Sequence, residues 1–118
     1  MTVNGTTLAL AAALAFGLAA QAQAHAKLVS ASPAVNASVA GPTQISLKFS
    51  EKLQPKFSGF DVSKGGARLP MASAVAKDRL TMTAASPRPL APGAYKVSWR
   101  AVTADTHRTQ GTYAFTVR

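Results

Sequence analysis

The chain contains no cysteine. That absence excludes a thiolate metal site, a redox dithiol, a cysteine nucleophile and any disulfide, and leaves a small domain to rest on its hydrophobic core alone. Acidic residues are almost as scarce: Glu51, Asp61, Asp78 and Asp105 stand against 13 lysines and arginines, for a formal net charge of +9. Methionine is rare too, with only Met71 and Met82 after the initiator. No segment carries a long apolar stripe of helical period. The one extended apolar run, Leu8 to Ala20, is shorter than the about 20 residues that a membrane span requires, and nothing after it is a transmembrane candidate.

That run has another explanation. Residues 1–24 read as a secretory signal peptide, with the small-x-small sequence Ala22-Gln23-Ala24 at the expected cleavage position, although no lysine or arginine precedes the apolar stretch. Cleavage after Ala24 predicts an exported mature chain of residues 25–118, one domain with His25 as its first residue. All the charged side chains lie in that part. The basic ones, among them Lys48, Lys52, Lys56, Arg100 and Arg108, are scattered and never form a run. Two readings stand for them: a solvated face, or a face that docks on an anionic membrane surface or an acidic partner. Export argues against nucleic acid as the partner, although a field of this sign would bind it non-specifically.

What is present is the alternation of strands. Ile45, Leu47 and Phe49 interleave with Ser46 and Lys48; Tyr95, Val97, Trp99 and Ala101 interleave with Lys96, Ser98 and Arg100; Tyr113, Phe115 and Val117 close the chain in the same period. Turn signals separate these runs at Ser32-Pro33, Gly41-Pro42, Gly65-Gly66, Ser86-Pro87 and Pro92-Gly93. Strands are predicted over 27–31, 43–50, 58–63, 73–76, 79–83, 94–102 and 109–117. The fold class is all-β, a small Greek-key barrel or sandwich of immunoglobulin-like type with about seven antiparallel strands. The aromatic residues of the alternating runs are expected in its core.

The chemistry lies at the ends of those strands. An N-terminal His25 would offer an α-amine and the imidazole Nδ1 on one residue, which close a six-membered chelate ring around a metal. Asp105-Thr106-His107 is an Asp-x-His in the loop before the last strand; in an extended backbone such a pair points the same way. Glu51, the only glutamate, ends the run Phe49-Ser50-Glu51. Read singly, each has an ordinary explanation: an arbitrary first residue, a loop-capping triplet, a surface carboxylate beside Lys48 or Lys52. Together they gather both histidines and two of the four carboxylates at strand ends, where β-sandwiches build sites. One amine, two imidazoles and one or two carboxylate oxygens form a nitrogen-rich set suited to tetragonal Cu(II); Zn(II) prefers a tetrahedral one.

The stretches His25-Ala26-Lys27-Leu28-Val29-Ser30, Ser32-Pro33-Ala34, Leu47-Lys48-Phe49-Ser50-Glu51, Tyr95-Lys96-Val97-Ser98-Trp99-Arg100-Ala101-Val102 and Asp105-Thr106-His107 with Gly111 resemble the periplasmic copper-binding proteins of the CopC family. The resemblance implies a seven-stranded Greek-key barrel that binds one Cu(II) at one end through His25, His107, Asp105 and, in some members, the position of Glu51. Members with a second, cuprous site carry a methionine and histidine cluster in mid-chain. The matching stretch here, Gly59 to Asp78, has Met71 alone and no histidine, so the resemblance is to the cupric-only type. It further implies a non-enzymatic periplasmic copper carrier serving resistance or homeostasis, with an inner-membrane CopD-like transporter as a possible partner. Two other function classes are weighed against it. A copper oxidase of the histidine-brace type lacks an evident aromatic substrate platform here. A metal-free secreted interaction domain would leave the position of His25 accidental.

Overall fold

The computed structural model describes residues 25–118; the signal peptide expected over 1–24 lies outside the described residues. Among the described residues nine strands follow one another: β1 (Leu28–Ser32), β2 (Ser38–Val39), β3 (Gln44–Phe49), β4 (Gly59–Lys64), β5 (Ala67–Arg68), β6 (Ser73–Val75), β7 (Thr81–Ala85), β8 (Gly93–Val102) and β9 (Arg108–Val117). They form two sheets, one in the order β1-β3-β7-β6 and the other β2-β9-β8-β4-β5. The all-β architecture is the one the sequence predicts. No helix among the described residues is long and apolar enough to cross a membrane.

The alternating runs face inward as their period requires. Ile45, Leu47 and Phe49 of β3, Tyr95, Val97 and Ala101 of β8, and Tyr113, Phe115 and Val117 of β9 are all buried between the sheets, where apolar area removed from water is the main stabilising term. The Tyr95 and Phe115 rings stack at 5.2 Å between centroids, and the Phe49 and Trp99 rings meet edge to face at 5.1 Å. Trp99 is only half buried; it lies against Gly111, the residue opposite it on β9.

Three features depart from the predicted strands. Two strands, β2 and β5, were not anticipated, because a two-residue strand has no periodicity to read. β5 exists because Gly65 and Gly66, at φ 58° and 81°, form a two-residue hairpin turn of the mirror-image type that only glycine adopts without cost. β2 pairs parallel with β9, Ser38 opposite Thr116, so the set is not wholly antiparallel. Finally, β7 begins at Thr81 rather than at position 79. The Asp78 carboxylate accepts the amides of Leu80 and Thr81 and the Thr81 hydroxyl, which forms a local turn and leaves Arg79 at φ 59°.

β8 and β9 are the longest strands and pair along their whole length, from Gly93 opposite Val117 to Val102 opposite Arg108. Their connection, residues 103–107, therefore stands at one end of the sandwich. The ends of β1 and β3 nearest Lys27 and Ser50 lie at the same end.

Candidate metal centre

The path of the N-terminal segment decides where His25 sits. Ala26 is buried in the core, and its carbonyl accepts a hydrogen bond of 2.9 Å from the Thr109 hydroxyl of β9. The next residue is held from the other sheet: the Lys27 amide donates to Ser50 Oγ and the Ser50 amide donates to the Lys27 carbonyl, each at 2.9 Å. These tethers lay His25 beside the loop that follows β8. Its ring meets the His107 ring edge to face, with centroids 4.8 Å apart. Two imidazoles on one metal ion, each with a metal–nitrogen distance of about 2.0–2.1 Å, have centroids no more than roughly 6 Å apart, so this spacing is within the reach of a shared ion.

The loop that carries His107 is a tight turn, not an extended stretch. The Thr103 amide donates to the His107 carbonyl and the Thr106 amide to the Thr103 carbonyl, both at 2.9 Å. Thr106 takes φ 69°, a conformation that β-branched residues rarely adopt and that costs on the order of 1–3 kcal/mol. Within the turn, Asp105 Oδ2 lies 2.8 Å from His107 Nδ1, while Oδ1 accepts the Thr103 hydroxyl and faces the His107 amide at 3.4 Å. The Thr103 hydroxyl first, and the His107 ring second, hold the Asp105 carboxyl down at about 2, against an ordinary value of 3.8. An ionised carboxylate facing Nδ1 places the proton on that nitrogen and leaves the Nε2 lone pair for a metal.

This is a different convergence from the one the Asp-x-His spacing suggests. Carboxylate and imidazole do not point side by side at one ion, because the turn folds Asp105 back onto His107. Glu51 is not drawn into this group. It lines a shallow recess with Lys52, Thr103, Ala104 and Asp105, and among the described residues its carboxylate has no ion-pair partner. Among the described residues, no three His, Asp or Glu side chains are grouped closely enough to form a ready-made cage. The structure thus pairs His25 with His107, and His107 with Asp105, and leaves Glu51 on the rim.

Two residues that position the site went unnoticed in the sequence, Thr109 and Ser50. Thr109 did carry a signal: it occupies an inward-facing place in the alternation Thr109, Gly111, Tyr113, Phe115, Val117, where a polar side chain needs a partner. The methionines take no part. Met71 is 7% exposed and Met82 fully buried in the core.

Residues 28–118 match the family model described as the CopC domain. The chain is 40% identical to copper resistance protein C of Escherichia coli, over 92% of this chain and 94% of that one, and 40% identical to copper resistance protein C of Pseudomonas syringae pv. tomato over the whole of both. Among solved structures it is similar to PcoC, a methionine-rich copper resistance protein from Escherichia coli, with a TM-score of 0.75 and 39% identity over 80% of this chain and 100% of that one. It is similar also to CopC from Methylosinus trichosporium OB3b, with a TM-score of 0.72 and 31% identity over 79% and 93% of the two chains.

Proposed function

The chain belongs to the CopC domain family, and from that premise we propose that it is a copper-binding protein of copper resistance, holding one Cu(II) between His25 and His107 as an exported carrier rather than an enzyme. The observation that carries the assignment is the placement of both histidines of the chain, 82 positions apart in sequence, with ring centroids 4.8 Å apart at one end of the sandwich.

In the carrier, removal of residues 1–24 frees the His25 α-amine, which chelates together with the ring of the same residue. His107 would supply Nε2, its orientation and tautomer set by Asp105. Asp105 adds negative charge beside the ion, and Glu51, on the rim of the recess it shares with Asp105, is the outermost of the four residues and contributes least. Two or three nitrogens with carboxylate oxygens favour Cu(II) over Cu(I), which seeks thiolate or thioether ligands. Support for a cupric site also comes from the methionines: one relative is described as methionine-rich, whereas both mature-chain methionines here are buried in the core. Copper is cargo in this reading, delivered to or withheld from an inner-membrane protein of the CopD kind.

The chelate is tested by moving the amine. A mature chain with one glycine added before His25 keeps both imidazoles and loses the amine–imidazole ring, so its Cu(II) affinity, read by competition with a chelator, should fall by orders of magnitude. An affinity equal to that of the chain beginning at His25 would refute the N-terminal chelate.

A further inference from the structure

The end of the sandwich that carries the two histidines has a second feature. Residues 54–57 form a turn in which the amides of Phe57 and Ser58 both donate to the Gln54 carbonyl, at 3.2 and 3.1 Å. That turn is fastened to the end of β8 and to the histidine loop. Gln54 donates its side-chain amide to the Thr103 carbonyl at 2.6 Å and its backbone amide to the Val102 carbonyl at 2.7 Å, and the Val102 amide donates to Ser58 Oγ at 3.0 Å. So braced, the turn holds Phe57 in water with 58% of its surface exposed, the largest apolar side chain so displayed among the described residues. Leaving a phenylalanine out of the core forfeits the stabilisation its burial would give, and here the fold uses five hydrogen bonds to keep it out.

The surroundings of Phe57 are cationic. A shallow cleft beside it is lined by Lys56, Arg100, Thr106 and Arg108 with no carboxylate among its walls. Arg100 is partly answered by Asp61, 3.7 Å away on β4, while Lys56 and Arg108 have no acidic partner among the described residues. A rigidly held aromatic side chain flanked by cations is the pattern of an interfacial anchor. The ring enters the headgroup boundary, and the lysine and arginine stems reach along it towards lipid phosphates.

We infer that the Lys56-Phe57-Arg108 tip is a docking site for an anionic phospholipid surface, one that turns the histidine end of the chain towards the bilayer. The charge of the molecule fits this occupant. With 13 basic and four acidic residues, the whole chain is drawn to a negative surface, and the tip decides which end lands. The wedge is one ring and three cations, so attachment is weak and reversible, suited to a shuttle and not to an anchor. It does not require copper to be bound.

The test is co-sedimentation of the copper-free chain, residues 25–118 with a chelator present, with vesicles of phosphatidylglycerol and phosphatidylethanolamine, against vesicles of phosphatidylcholine alone. Binding is expected only to the anionic vesicles. Arg108→Gln should weaken it about fivefold, and Lys56→Gln similarly. Phe57→Ser should weaken it about tenfold, with the greatest effect at high salt, where charge is screened and the ring alone holds. Arg88→Gln, at the opposite end of the sandwich, removes the same charge and should do little. In a Phe57→Trp chain, tryptophan emission should shift to the blue on binding. Equal losses for Arg88→Gln and Arg108→Gln would refute the docking site in favour of diffuse attraction. Failure to sediment with anionic vesicles, together with retention on immobilised polyglutamate, would refute lipid as the occupant and point to an acidic protein. Because copper is absent throughout, none of these results depends on the metal assignment.

Discussion

The tethers of the N-terminal segment allow a sharp test, because they act on copper only if His25 and His107 share it. Thr109→Val preserves the size and β-branching of the side chain and removes the hydroxyl that donates to the Ala26 carbonyl. A half-buried carbonyl left without its donor costs about 1 kcal/mol. That cost raises the ratio of undocked to docked N-terminal segment by about fivefold, and the apparent affinity falls in proportion to the fraction that remains docked and competent. The pair between Lys27 and Ser50 still holds, so the single variant should bind Cu(II) roughly two- to fivefold more weakly. Adding Ser50→Ala removes the second side-chain tether, and the double variant should lose about tenfold or more. Affinity would be read by competition with a chelator, and folding by thermal unfolding, where a loss of about 1 kcal/mol lowers Tm by about 4–8 °C in a domain of this size. A double variant that is folded and binds Cu(II) as tightly as the parent would refute the reasoning: the ion would then sit on the flexible terminus alone, and His107 would have no share in it.

Three further outcomes follow from the geometry. In competition titrations, His107→Ala should weaken Cu(II) binding most, Asp105→Ala less and Glu51→Ala least, because in the proposed site the three serve in that order as ligand, orienting group and rim carboxylate; a dominant loss from Glu51→Ala would reverse these roles. Gly111→Ala should destabilise the fold by about 1–3 kcal/mol, measured by denaturant unfolding, since a Cβ there would come within 2.5 Å of the Trp99 ring; an unchanged midpoint would mean that the indole moves freely. Burial pushes the Tyr113 phenol up to about 12 from an ordinary value of 10.0. Because the unfolded chain ionises first, its stabilising contribution is complete below about pH 10 and is lost as pH rises towards 12. Tyr113→Phe should therefore flatten the alkaline end of a stability–pH curve.

How much of this was legible depended on the length over which a signal could accumulate. β3, β8 and β9 each bury one face across six to ten residues, so their alternation is plain in the sequence. β2 and β5 are fixed by pairing and by a glycine turn, neither of which leaves a period. The same distinction holds at the site. The Asp-x-His triplet and the lone Glu51 could be recognised as residue types, yet the expectation that Asp105 and His107 converge assumed an extended backbone. Thr106 at φ 69° breaks that assumption, and nothing in three residues announces it. Only the closed turn shows that the carboxylate faces the imidazole. Nor could the tethers of Ala26 and Lys27 be read, since each joins positions more than twenty residues apart.

The distance spanned by the Thr109 bond has a consequence for when copper can be acquired. Ala26 and Thr109 are separated by 83 positions, and β9 is the last strand of the chain. While the polypeptide is still emerging, its leading histidine has no second histidine to meet, and the pocket does not exist until the trailing strand has been laid against β8. If the proposed site is right, tight capture of the ion waits until assembly is finished. A chain interrupted before β9 would then lack the second half of the site, and possession of copper would certify that both ends of the molecule have arrived.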